Sequence, residues 1–297
     1  MYQIRTRNPR HSTKTYYLAL EGISTEYRYF VTLISSGIFS RNVHPIILMK
    51  SANEASYSNP RKLIDLVCDY MHFQKTGEYP TDLFIGHVLD YLNRKQMKMN
   101  NHDLKVYSED LKSTLLKMGV SKDELISDYD LAIIISEEYF RRVSNRDIIV
   151  DLSDYKQPFY EGMDCDYSII VDRDEHSFRP NQVAEVDEIC QLKKIRFVLT
   201  NPCFELWLML HFDISKDAIM KCVQMNEMKK ELSKYSKINE ERIDSSEYAP
   251  FVGKARRKLN DYTQDLNILK RPTSDGPETI GSNIGYLIDE LTDRRYV

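Results

Sequence analysis

Long apolar runs are missing from this sequence, as are paired cysteines, a glycine-rich phosphate loop and any excess of positive charge. No stretch is long and apolar enough to span a bilayer and no leader-like segment opens the chain, so the expectation is a soluble, cytoplasmic protein with no membrane contact. The five cysteines (Cys68, Cys165, Cys190, Cys203, Cys222) are odd in number and scattered without metal-binding spacing, and they read as reduced thiols. With ten glycines and no Gly-rich strand–helix turn, the chain is not expected to be an ATPase itself. A net charge of −4 denies it the global basic signature of a small DNA-binding module, so nucleic-acid contact would need a local patch. Ser-His-Asp and Cys-His catalysis lack any recognisable local signature.

What is present is a chain of 297 residues, 42% hydrophobic and 29% charged, enough for one large or two ordinary globular domains. TYYLALEGISTEYRYF (15 to 30) alternates through Tyr17, Ala19 and Glu21 as a strand does, then turns at Gly22. Tyr27, Phe30, Val31 and Ile34 follow at the spacing of one helix face, with Ser24 or Thr25 as the cap and Glu26 in or near the first turn. Glu21 therefore stands at the carboxyl end of a strand, where open α/β sheets build their ligand sites. HPIILMK (44 to 50) reads as a second strand, and a helix starts at Ser58-Asn59-Pro60.

From 78 to 163 the pattern is of amphipathic helices with polar breaks, and no convincing strand occurs before YSIIVD at 167 to 172. A helix over 180 to 195, a strand over 196 to 200 and a helix over 201 to 212 opening on Asn201 come next. Helices over 215 to 236, 250 to 268 and 283 to 294 complete the chain. The order β-α-β-α, helical insertion, β-α-β-α, helical tail predicts an α/β fold with a mainly parallel sheet covered by helices. It divides the chain at 1–77, 78–163 and 164–297, with the insertion available for docking a partner.

The second informative stretch is YSIIVDRDEHSF (167 to 178). Its apolar strand ends in Asp172, Arg173, Asp174, Glu175 and His176, and two aspartates at i and i+2 on a strand end can face one site. Such a cluster also suits a plain solvated loop. Paired with Glu21 at the same sheet edge, it suits Mg²⁺ or Mn²⁺, hard ions that take oxygen ligands and keep several waters. Glu205 can act on the dipole of its helix or as a further site carboxylate. Phe204, Trp207, Leu208 and His211 read as one core face, and His176 as a loop histidine or a proton donor. Phosphate-gripping candidates are Arg173, Lys193, Lys194 and Arg196, with Lys254, Arg256, Arg257 and Lys258 as a basic helix start.

Glu-Gly followed by Ser-Thr-Glu-Tyr, then VDRDEH, then TNPCFELWLMLHF, in this order, resemble the hallmark segments of the RloB-like family. Coverage runs over about residues 14 to 75 and 164 to 295, and the helical block between is longer than the family leads one to expect. That family in turn resembles Toprim nuclease domains found with ATPase partners in bacterial anti-phage systems. The resemblance implies a Toprim-like fold and a metal-dependent nuclease. It would use Glu21, Asp172 and Asp174 as catalytic residues and ligands, with Glu26 and Glu175 in support. It also implies a nucleic-acid substrate and an ATPase partner, and it leaves room for a homodimer. The departure from a small-residue turn, Glu175-His176, sets the site apart from the topoisomerase version. A non-catalytic regulatory subunit and another phosphoryl-transfer enzyme are the alternatives.

Overall fold

The structure is a computed structural model that describes residues 14–22, 25–48, 59–95, 99–143, 152, 164–174, 178–235 and 248–292. They divide into two compact units, one drawn from Met1–Leu48, Ser58–Ile64 and Met163–Val297, the other from Met49–Tyr57 and Asp65–Gly162.

The first unit is built on strands β1 (Lys14–Leu20), β2 (Val43–Leu48), β6 (Cys165–Asp172), β7 (Ile195–Asn201) and β8 (Gly281–Ser282), in the spatial order β2-β1-β6-β7-β8. The first four run parallel and the short β8 antiparallel. Six of the seven residues of β1 are buried, the continuous burial of a strand covered on both faces. The expected α/β class with a mainly parallel sheet and a helical C-terminal region is therefore what the chain adopts.

Helix α1 (Thr25–Ser36) has the expected period but not the expected face. Tyr29, Phe30 and Leu33 are buried together with Glu26, whereas Val31 and Ile34 are 37% and 38% exposed. The buried set is still i, i+3, i+4, i+7, started one residue earlier, at Glu26. Two apolar sets overlap on this helix, and the aromatic one wins because Tyr29 and Phe30 both meet Phe204 across the layer (ring centroids 5.5 and 6.3 Å apart). Ser24, one of the two expected caps, lies outside the described residues.

After α6 (Pro180–Lys193), β7 runs on to Asn201, so Asn201 ends a strand rather than capping a helix. Fully buried, its amide donates to the Leu269 and Arg271 carbonyls (3.2 and 2.9 Å) and its oxygen accepts from the Thr273 hydroxyl (2.7 Å). Helix α7 (Glu205–Met209) starts four residues later than the sequence pattern suggests and is buried on every side. Phe204, Trp207, Leu208 and His211 are core, as expected. The C-terminal region is more broken than its periodicity implies. Its pieces are α8 (Lys216–Met225), closed by Asn226 in the left-handed conformation, α9 (Met228–Leu232), α10 (Val252–Lys258), α11 (Leu266–Leu269) and α12 (Ile284–Leu291).

The second unit holds most of α2 (Pro60–Thr76), then β3 (Tyr79–Pro80), α3 (Thr81–Lys95), α4 (Asn101–Lys117), β4 (Ser121–Lys122), β5 (Leu125–Ile126) and α5 (Tyr129–Val143). It therefore begins well before residue 78, because Tyr70 and Phe73 of α2 pack on Tyr79 (ring centroids 5.6 and 5.0 Å). Three two-residue strands interrupt its helices, where none is expected. Asp123 and Glu124, both with positive φ (51° and 65°), turn Lys122 into Leu125 as a tight hairpin, which overrides the helical pattern there.

Candidate functional site

Parallel order brings the carboxyl ends of β1, β6 and β7 side by side. Glu21 follows the last residue of β1, and its N–H donates to the Ile170 carbonyl of β6 at 3.0 Å. Asp172 ends β6; its N–H donates to Glu21 Oε2 and its Oδ1 accepts from the Phe204 N–H, both at 2.8 Å. One strand end thus holds the next carboxylate in place, and the turn after β7 holds Asp172.

Two further carboxylates join them. Glu26 is 6% exposed on the buried face of α1, and its carboxyl lies against Gly22, where a Cβ would meet Oε2 at 1.8 Å. Glu205, the first residue of α7, is 5% exposed. Burial, and after it the fields of Glu26, Glu21 and Glu205, hold the half-buried Asp172 carboxyl well above the usual carboxylate range, against the pull of the Phe204 N–H. Burial followed by Glu205 and Asp172 likewise pushes the Cys203 thiol up. Lys229 of α9 approaches from outside, with Nζ 3.7 Å from Glu205 Oε1. Behind the cluster, Tyr29 Oη lies 3.3 Å from His211 Nε2, and His211 Nδ1 lies 3.1 Å from the Trp207 carbonyl. With Nδ1–H donating to Trp207, Nε2 is left to accept from Tyr29, and burial lowers the His211 pKa to about 3.

Of the expected site residues, Glu21, Asp172 and Glu26 meet here, together with Glu205, the further carboxylate that the sequence offers. β6 ends at Asp172, so Asp174 stands in the loop beyond it, where strand alternation no longer sets the direction of a side chain. Asp174 is exposed, and its carbonyl accepts from the Phe178 N–H at 2.8 Å. Glu175 and His176 lie outside the described residues.

Several basic candidates are engaged elsewhere. Arg173 is fully buried, its guanidinium donating to the Phe178 and Lys270 carbonyls, so it ties the loop after β6 to α11 instead of facing a polyanion. Arg196, the second residue of β7, lies at the opposite edge of the sheet and pairs with Glu290 at 2.8 Å. On α10, Lys254 pairs with Asp213, Arg256 holds Asp289 through two 2.9 Å contacts, and Lys258 donates to the Phe212 and Ile214 carbonyls. Arg257 is exposed.

The whole arrangement falls within a match to the RloB-like protein family over residues 16–291. The chain belongs to the RloB-like family. The matched span is continuous, so it takes in the helical unit between α2 and β6 as well as all four clustered carboxylates. No curated protein and no solved structure matches the chain.

The RloB-like cluster has the donor chemistry of a hard divalent cation: four carboxylates, with Asp172 crowded by three like charges that a cation would relieve. Among the described residues, no group of three or more His, Cys, Asp or Glu side chains is positioned to hold a metal ion. No described helix is long and apolar enough to cross a membrane.

Proposed function

We propose that this chain is a divalent-metal-dependent nuclease of Toprim type, the effector of a bacterial anti-phage system, working under an ATPase partner. The observation that carries the reading is the convergence of Glu21, Glu26, Asp172 and Glu205 at the carboxyl edge of three adjacent parallel strands, with the Asp172 carboxyl pushed up first by burial and then by the other three. Carboxylates held so close are costly to a protein that leaves them without a cation, and strained ionisation is characteristic of functional sites.

Asp172 and Glu21 would hold Mg²⁺ or Mn²⁺, with Glu205 and Glu26 beside them and Asp174 in the exposed loop that follows β6. A bound ion would supply Lewis-acid chemistry, polarising a phosphate and making water acidic enough to attack at neutral pH. The chain's own residues do the rest. Phe204 N–H fixes the Asp172 carboxylate and Asp172 N–H fixes that of Glu21, which would serve either as a further ligand or as the general base.

A second reading is a regulatory subunit that binds metal or nucleic acid without cleavage. It draws on the same hydrogen bonds, since Glu21 and Asp172 each already hold a backbone N–H. Incubation with plasmid DNA and with total tRNA, in Mg²⁺ or Mn²⁺, separates the two. Cutting that disappears in EDTA and in Asp172→Asn supports the nuclease. Metal and nucleic-acid binding without cutting, with the ATPase partner present, supports the subunit.

A further inference from the structure

Lys229 differs from the lysines around it. Lys230 and Lys234 bond nearby glutamates, Glu227 at 2.7 Å and Glu231 at 2.6 Å, whereas Lys229 reaches instead toward the buried Glu205. The Lys229 side chain is 79% exposed and that of Glu205 only 7%, and their 3.7 Å separation is an ion pair beyond hydrogen-bond length. A pair this exposed contributes little to stability. It does leave the ammonium's three donors without a close acceptor among the described residues, at the outer margin of a four-carboxylate cluster.

The backbone under Lys229 is well held. Met228 and Leu232 on either side are 4% and 2% exposed, and Met228 Sδ lies 3.8 Å from the Sγ of Cys203, two residues before Glu205. The ammonium is thus tethered by its backbone to the turn that carries the cluster while its tip stays in water. Four carboxylates repel a polyanion, and a cation stationed at their margin offsets that repulsion along one approach.

We propose that Lys229 is the phosphate contact of the site, donating to a non-bridging oxygen of the nucleic-acid strand as it enters over α9. This role rests on the nuclease reading and names the side from which the strand is taken up. It also supplies what the sequence placed elsewhere, since Arg173, Arg196, Lys254 and Arg256 are engaged within the fold.

The test is fluorescence anisotropy of a labelled DNA duplex and a labelled tRNA in Ca²⁺ across a salt series, with the wild type, Lys229→Gln and Lys229→Arg. Lys229→Gln should weaken binding about tenfold. It should also reduce the salt slope by about 0.7 to 0.9, the signature of one lost phosphate contact that a packing role would not alter. Lys229→Arg should restore both, and the same loss should fall on KM more than on kcat where cleavage is measured. Wild-type binding by Lys229→Gln overturns the role. So does a shifted midpoint in Mn²⁺ titration with unchanged nucleic-acid affinity, which makes Lys229 a counter-ion of Glu205. If the wild type binds neither nucleic acid, the nuclease reading itself falls, and this role with it.

Discussion

At the scale of single residues, the site holds one charge, that of Asp172, where it destabilises the fold. Asp172 has its folded pKa raised above the unfolded value, so the protonated form is favoured by folding and stability rises as pH falls through the folded pKa. Above it, the ionised group subtracts. Asp172→Asn keeps the oxygen that accepts from Phe204 and removes the charge. In EDTA at pH 8 it should be more stable than the wild type by on the order of 1 kcal/mol, read by urea denaturation, while abolishing metal binding. Gly22→Ala should do the reverse. Its Cβ would meet the Glu26 carboxyl at 1.8 Å, and because that contact is a side chain it can be relieved. The single variant should lose about 1–3 kcal/mol, and Gly22→Ala with Glu26→Ala should recover part of it. Arg173→Ala should cost about 3 kcal/mol or more, since it strips the buried Phe178 carbonyl and the part-buried Lys270 carbonyl of a charged donor.

At the scale of elements, α1 and α7 place the second pair of carboxylates, and both rest on the aromatic packing around His211. Tyr29, Trp207 and Tyr248 surround its ring, with centroids 5.6, 5.1 and 5.2 Å away. His211 is neutral in the fold with a pKa lowered to about 3, whereas the unfolded chain protonates near 6.5. Its contribution is complete above pH 6.5 and is lost at about 1.4 kcal/mol per pH unit as pH falls toward 3. Asp172 acts in the opposite sense, so the difference between wild type and His211→Gln isolates the histidine; the variant should lose less stability per unit of acidification. Gly281, in β8, is a second position where an element needs glycine. A Cβ there would meet the Thr263 carbonyl at 1.9 Å, and backbone cannot swing aside. Gly281→Ala should cost more stability than Gly22→Ala without altering metal affinity, a comparison of two melting curves and one titration.

At the scale of the molecule, a ligand that binds only the folded chain stabilises it by mass action, about 2.7 kcal/mol at a hundredfold excess over Kd. Mn²⁺ should therefore raise the melting temperature of the wild type and leave that of Asp172→Asn unmoved. An equal rise in both would place the ion elsewhere. The basic start of α10 reads in the sequence as a surface for a polyanion; in the fold Lys254 pairs with Asp213 and Arg256 with Asp289, and Arg257 is exposed.

The strands and the identity of Glu21 and Asp172 were legible in the sequence because burial on both faces demands continuous apolar runs, and a charge that ends such a run is conspicuous. The three RloB-like segments were legible for the same reason, being the ends of β1, β6 and β7. Which carboxylates meet was not. Helix α1 carries two overlapping apolar sets, and only contact with Phe204 decided which face turns inward and hence that Glu26 is buried. Strand alternation pairs Asp174 with Asp172, but β6 stops at Asp172 and alternation does not set where Asp174 points. Local pattern reports which side chains avoid water, but the point at which strands stop and the partner of each charge depend on residues far away in the chain, and only the folded structure decides those.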